Sequence, residues 1–492
     1  MTAHLPVFIV VVPLTAALLV PFVAFLSARL AHLLTLLTLL AASLCAGAAL
    51  SRVLEHGPWH YALGGWAPPW GIEYIIDPLS GGMATLIALI AVLMVIYAGP
   101  HVSEWSAGRS GVFYSLFLLL TCGLLGIVVT GDVFNLYVFL EISSLSAYAL
   151  LAAGGIRATV ATFRYLIIGT IAATFYLLGV GYLYALTGTL NMADLTARVP
   201  AVMESSVFVV AVAFLVVGLA IKAALFPLHG WLPDAYTYAP APVIGFISAI
   251  MTKVSAYALF RVLYFVLQVE GAAGQALTIL SWASAVAILA GSIMAIAQRD
   301  VCRMLAYSSV SQMGYITLGL SLANPAALTG ALLHVLNHAI MKGCLFLIAG
   351  GIRWRRGSCQ LEDFVGMSRR MPLTMAAFVI AALSMIGLPP TAGFFSKWYL
   401  VSGAIATHDW HFVVVLALSS LLNAVYFFRI IELSYLRQPA AVGMDTGARW
   451  HDLPVRMLTP ILILATAVLL LGVFNHTVVS RVIQFALPQQ GL

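Results

Sequence analysis

The chain has 492 residues, of which 62% are hydrophobic and 8% charged. A soluble domain carries about 25% charged residues, so this composition, with a mean hydropathy of +1.05, excludes a soluble enzyme and describes a polytopic membrane protein. The formal net charge of +6 would point to nucleic acid in a soluble chain. Here no nucleic-acid partner is expected, because the arginines serve membrane topology.

Apolar runs of roughly 20 residues are long enough to cross the hydrocarbon core. About fourteen predicted spans follow one another near residues 5–27, 33–51, 79–98, 112–130, 133–153, 158–186, 208–226, 241–268, 276–297, 301–321, 326–350, 372–400, 410–436 and 456–475. The expected class is an all-α membrane protein. The first span is too long, and too weakly basic at its start, for a cleaved signal peptide. No hydrophilic stretch is long enough to form a soluble domain. Alternate loops differ sharply in charge. One side receives Arg29, Arg109, Arg157, Arg299, Arg303, Arg353, Arg355, Arg356, Arg369, Arg370, Arg437, Arg449 and Arg456, and the other only Arg52, Arg198 and Arg481. The first side is therefore expected to be cytoplasmic, with both termini outside. The five cysteines (45, 122, 302, 344 and 359) lie mostly in spans without paired metal-type spacing and are read as core residues.

Several charged residues fall inside the spans. Glu141 lies in the fifth span, within GDVFNLYVFLEISSLSAY. Lys222 closes the uncharged run FVVAVAFLVVGLAI in the seventh, and Pro227 and Pro233 interrupt that span just beyond it. Lys253 is in the eighth. In LLHVLNHAIMKGC of the eleventh, His334, His338 and Lys342 recur every four residues and share one helical face. The twelfth span, SMIGLPPTAGFFSKWYL, is interrupted at Pro389 and Pro390 before Lys397. Arg429 and Glu432 sit three apart in the thirteenth, either as a static pair near a helix end or as functional groups.

These four lysines are the only ones in the chain, whereas the loop cations are arginines. Arginine keeps its proton in proteins, while a lysine taken out of water can release it. Each buried ammonium costs about 2.5–3.5 kcal/mol on insertion scales, which makes Lys222 and Lys253 functional candidates. Lys342 has the alternative of snorkelling to an interface. The histidine pair lacks an evident third ligand for a metal, so a proton-relay stripe fits it better. Two satisfied core histidines remain the alternative.

The interruptions fall in the fourth helix of each of two five-helix blocks, spans four to eight and nine to thirteen. An odd number of helices inverts the second block relative to the first, and such repeats with interrupted helices mark many transporters. The expected units are 1–111 with three spans, a first repeat at 112–268, a second at 269–438, and 439–492 with the last span.

LFPLHGWLPDAY, IMTKVSAYALFRV, RMLAYSSVSQMGY, HVLNHAIMKGCLF and GLPPTAGFFSKW resemble the proton-translocating antiporter-like subunits of respiratory complex I, related hydrogenases and Mrp-type sodium/proton antiporters. The resemblance covers nearly the whole chain. It implies fourteen helices in inverted repeats and a central file of charged and histidine residues with water between them. Residue by residue, Glu141 and Lys222 match the family's glutamate–lysine pair and Lys253 the connecting lysine. His334 and His338 match the eleventh-helix histidine region, and Lys397 the terminal lysine, which some members replace by glutamate. His229, in the LFPLHGW break, is an auxiliary candidate with Lys342, Arg429 and Glu432. Arg164, in ATFRYLIIGT, stands where lysine is expected. TKVSAYALFRV and GTLNMADL look most like the D subunit of Mrp antiporters, and the chain ends soon after the last span, without the long lateral helix of the largest complex I homologue.

The expected function is proton translocation as one subunit of a multi-subunit cation/proton antiporter, with sodium a possible second ion, other membrane subunits as partners and no cofactor or metal. A complex I-type or hydrogenase-type subunit is the alternative within the same mechanism, and a bicarbonate-uptake membrane partner is a third. A membrane-embedded transferase or hydrolase is the alternative of another class, but the chain carries no HExxH and no nucleophile elbow.

Overall fold

The computed structural model describes residues 4–268, 272–437 and 452–488. Arg449 and the repeat boundaries at 269 and 438–439 lie outside the described residues. Helices α1 (Leu5–Leu26) and α2 (Ala28–His56) meet at Ser27. A hairpin follows, with β1 (Trp59–Ala62) antiparallel to β2 (Glu73–Ile76) and Trp59 opposite Ile76. Next come α3 (Pro78–Val102), α4 (Ala107–Val129), α5 (Val133–Ala152), α6 (Ile156–Thr187) and the short α7 (Met192–Arg198). The first broken span consists of α8 (Ser206–Lys222) and α9 (Leu232–Tyr238). Helices α10 (Ala241–Phe246) and α11 (Thr252–Phe260) form one span through π-turns at Ile247–Met251 and Arg261–Val266. Then follow α12 (Ala272–Ile296), α13 (Val301–Ser321), α14 (Pro325–Arg356) and the single turn α15 (Met367–Arg370). The second broken span is α16 (Pro372–Ile386) with α17 (Ala392–Ala406), and α18 (Trp410–Tyr435), α19 (Val455–Val473) and α20 (Asn475–Val478) complete the order.

Among the described residues, 11 helical stretches are long and apolar enough to cross a membrane. The two broken spans and α13 complete the predicted fourteen. Helix α13 carries four serines, two tyrosines and Gln312, and every residue from Met304 to Ser321 is buried. Its polar side chains thus face protein rather than lipid, where they would be costly. The continuous span α10–α11 is buried throughout and α14 nearly so, whereas α1, α2, α6 and α18 are buried over less than half of their length. The long helices at the centre therefore carry the interior, and the peripheral ones turn apolar faces such as Phe22, Phe25, Phe163 and Val425 outward.

Lipid is as apolar as leucine, so close backbone approach has to hold such helices together. At the α14–α17 crossing a Cβ on Gly330 would lie 2.8 Å from the Leu400 nitrogen, and one on Gly403 would lie 2.7 Å from that of Ala327. Polar ties fasten the two rims. On the hairpin side, Asp77 caps α3 in a reciprocal box with Ser80 and accepts from Arg261 at 2.6 Å. Buried Glu73 accepts from the Asn191 amide at 2.7 Å and faces His60 at 3.0 Å. On the opposite rim, Asp234 of α9 pairs with Arg164 of α6 at 3.2 Å and with Arg303 of α13 at 3.3 Å.

Candidate functional site

Helix α5 is capped by Asp132, whose carboxylate accepts from the Asn135 N–H at 2.6 Å, and it carries Glu141 and Ser144 one turn apart. Helix α8 ends at Lys222, where the chain turns through Ala224 at φ 55° and reaches Pro227. The ammonium is 3% exposed, donates to the Ser144 hydroxyl at 2.6 Å and lies 3.6 Å from a Glu141 oxygen. A broken helix leaves carbonyls without partners. The Trp231 indole braces this break by donating to Ile221 O at 3.0 Å, which also accepts from the Ala224 N–H at 3.0 Å. Trp231 is itself fixed by stacking on Tyr165, with centroids 3.9 Å apart. His229 lies in the same break, stacked on Phe226, with its Nδ1 lacking a hydrogen-bond partner.

Lys253 is fully buried just after the first π-turn, donating to the Ser248 carbonyl and, at 3.4 Å, to the Thr252 hydroxyl. π-turns inside helices occur frequently at functional sites. On α14 the rings of His334 and His338 stack with centroids 5.8 Å apart. His334 bonds Ser396 at 2.9 Å through Nδ1 and Gln312 at 2.9 Å through Nε2. Both nitrogens of His338 are buried without a protein partner, as are the Gln312 amide nitrogen and the Asn337 amide oxygen. Orphan polar atoms of this kind are a place for water.

Lys397 lies on α17, beyond the second break, and donates to Met385 O at 2.9 Å, Ile386 O at 3.0 Å and the Ser420 hydroxyl at 3.3 Å. The two carbonyls are the free C-terminal end of α16, where the helix dipole favours a cation. Two further contacts close this break. The Asn337 amide donates to Ala392 O at 2.7 Å, and the Ser384 hydroxyl accepts from the Gly393 N–H at 3.0 Å.

Two expectations are corrected. Lys342 does not snorkel: it is fully buried and donates to Leu305 O at 2.7 Å and to the Ser308 hydroxyl. It lies mid-helix in α14, whose surface there is enclosed on all sides, so no interface is within reach. Arg429 and Glu432 are both exposed, and Glu432 pairs with Arg437 at 3.1 Å. The carboxylate points past the end of α18 towards the polar boundary and away from the interior. Arg164, the position expected to be lysine, forms the ion pair with Asp234.

The direct contacts thus join Glu141 to Lys222, His334 to His338, and His334 to Ser396, the neighbour of Lys397 in sequence. Among the described residues no hydrogen bond joins Lys222 to Lys253 or Lys253 to the histidines. Sequence reasoning missed Ser144, Gln312, Ser396 and a buried polar layer between α12, α13 and α18. In that layer Ser292 meets Ser311 at 2.9 Å and Ser419 at 3.0 Å, and the Tyr426 phenol donates to Asn423 at 2.7 Å. The available signal was the density of small polar residues in SSVSQ, inside an otherwise apolar span.

Charge carried inside the bilayer on a bundle with two interrupted helices defines an ion-transporting membrane protein. The sequence pattern of the family described as NADH:quinone oxidoreductase/Mrp antiporter, TM, matches residues 130–423. The chain is 57% identical over 497 residues to the N subunit of NADH-quinone oxidoreductase from Desulforudis audaxviator, covering 99% of each. It is 33% identical over 380 residues to the D subunit of the Na(+)/H(+) antiporter from Alkalihalophilus pseudofirmus, covering 77% of this chain and 76% of the relative. Among solved structures, a chain of the membrane-bound sulfane sulfur reductase, an archaeal respiratory membrane complex, matches with a TM-score of 0.90 and 32% identity over 98% of this chain and 96% of that one. The chain belongs to the NADH:quinone oxidoreductase/Mrp antiporter membrane family and is an antiporter-like subunit.

Proposed function

We propose that this protein is a proton-translocating subunit of a multi-subunit membrane complex, with both termini on the outer face. The file runs from Glu141 through Lys222, Lys253, His338 and His334 to Lys397, with Lys342 and His229 beside it. The observation that carries this reading is the placing of a buried lysine at each helix break, one against a carboxylate and one against freed carbonyls. Water at the orphan atoms of His338, Gln312 and Asn337 serves the histidine stretch of the file. The repeats 112–268 and 269–438 each supply one break, flanked by the units 1–111 and 439–492.

Two drivers fit the family. A cation/proton antiporter is supported by the likeness to the antiporter D subunit, and a quinone-oxidoreductase complex by the greater, full-length identity to the N subunit. Proteins that co-purify with the tagged chain decide between them: small antiporter subunits on one reading, quinone-reductase subunits on the other.

The relay itself is tested at Lys222 by pH-gradient assays on inverted vesicles, with assembly checked for each variant. Lys222→Arg keeps the cation and the pairing with Glu141, but a guanidinium does not release its proton. Lys222→Arg and Lys222→Ala are both expected to fall to background, and Glu141→Gln to lose most activity. Near-normal transport by Lys222→Arg would make the lysine a static tie and end the relay reading.

A further inference from the structure

A cleft of about 430 Å³ opens at the rim of the bundle between the start of α6, the end of α9 and the first turn of α13. Arg157, Arg164 and Arg303 line it, together with Asp234 and Tyr238. The single carboxylate pairs with Arg164 and Arg303, so the cleft keeps an excess of positive charge. Arg157 makes no ion pair or hydrogen bond among the described residues, and the Arg164 side chain remains 66% exposed despite its pair. Helix α6, 32 residues long, opens at Gly155 with no side-chain cap. The positive end of its dipole therefore adds to the same field.

The wall of the cleft is apolar and continues beyond it. Ile156 and Val160 line the opening, and Ile156, Val160, Phe163 and Ile167 are all exposed, at 84%, 52%, 64% and 46%. Their spacing places them on one face of α6, as a stripe running from the cationic cleft into the bilayer. A free anion would use the arginines and leave the stripe idle. A molecule with a negative head and a hydrocarbon tail uses both, and basic pockets on the arginine-rich side of membrane proteins suit anionic lipid headgroups.

We propose that this cleft is a binding site for an anionic phospholipid, with its phosphate among Arg157, Arg164 and Arg303 and an acyl chain along the α6 stripe. The proposal uses none of the residues of the lysine file, so it stands or falls independently of the transport reading.

The test uses the assembled complex in nanodiscs containing either a photoreactive phosphatidylglycerol or the matching phosphatidylcholine. Labelling of the segment 156–167 is mapped by peptide mass spectrometry. The phosphatidylglycerol probe is expected to label this segment several-fold more than the phosphatidylcholine probe. Arg157→Gln, which breaks no ion pair, should remove most of that difference, and excess inorganic phosphate should leave labelling unchanged. Equal labelling by the two probes overturns the proposal, as does equal labelling of Arg157→Gln and wild type. Loss of labelling in phosphate would mean a free-anion site. An unlabelled segment in the assembled complex would mean that a partner protein covers the cleft.

Discussion

Lys397 depends on a glycine ten residues before it. The chain leaves α16 through Gly387 at φ 96°, and a Cβ there would lie 2.9 Å from Cδ of the Lys397 side chain. Gly387→Ala therefore imposes a backbone conformation costing about 1–3 kcal/mol and displaces the ammonium from the Met385 and Ile386 carbonyls. The variant is expected to assemble and to lose most of its transport, as Lys397→Ala should lose all of it. Proton flux in proteoliposomes, read against the amount of assembled complex, measures both. Wild-type flux from Gly387→Ala would show that the cation need not rest on the end of α16.

At the scale of elements, the rim on the hairpin side is fastened by the Asp77–Arg261 pair, which ties the start of α3 to the end of the α10–α11 span. Burial pushes the Asp77 carboxyl up, but the Arg261 guanidinium and the Ser80 bonds outweigh it and hold it below the usual carboxylate range. A lowered native value means that the stabilisation is complete above the ordinary aspartate value of about 3.9 and is lost as pH falls further. Asp77→Asn strands a buried guanidinium, at a cost of about 3 kcal/mol. Thermal unfolding of the complex should show a constant deficit for the variant from about pH 8 to about pH 5, closing only below about pH 4. A deficit that already narrows at neutral pH would assign the stability to another group.

The same scale explains what could be read in advance. Long apolar helices announce themselves by length, and both breaks by proline, so fourteen spans and the two interruptions were legible. Helix α13, read as the apolar run 301–321, is less apolar than the 11 spans that stand out by composition, because its serines answer other helices and not lipid. Lys342 could not be placed from sequence, since snorkelling or burial depends on which helices enclose α14. Nor could the pairing of Glu432, where three residues along the helix suggested Arg429 and the fold supplied Arg437. Gln312 and Ser396 became partners of His334 only through the meeting of α13, α14 and α17. Contacts between helices distant in sequence are what periodicity leaves out.

For the whole molecule, the arginine asymmetry predicts a definite orientation in the membrane. The tip between β1 and β2 is well exposed, with Trp66 at 72% and Trp70 at 93%. Ala67→Cys at that tip should react with a membrane-impermeant maleimide in intact cells. Arg437→Cys should react only in inverted vesicles. The native cysteines supply the background, and four of the five are buried. The opposite pattern would place both termini in the cytoplasm.

Helix α14 runs unbroken for 32 residues against the broken span α16–α17. A straight helix advances about 6 Å over four residues, so His334, His338 and Lys342 are set at fixed intervals on a stiff rail. On the proposed route the hop length along this stretch is a constant of the backbone, indifferent to side-chain chemistry elsewhere. Traffic through the second half of the protein is then timed by how often its gaps wet, and a rate that changes with hydration pressure or heavy water, while the positions of the carriers do not, is the behaviour such a rail produces.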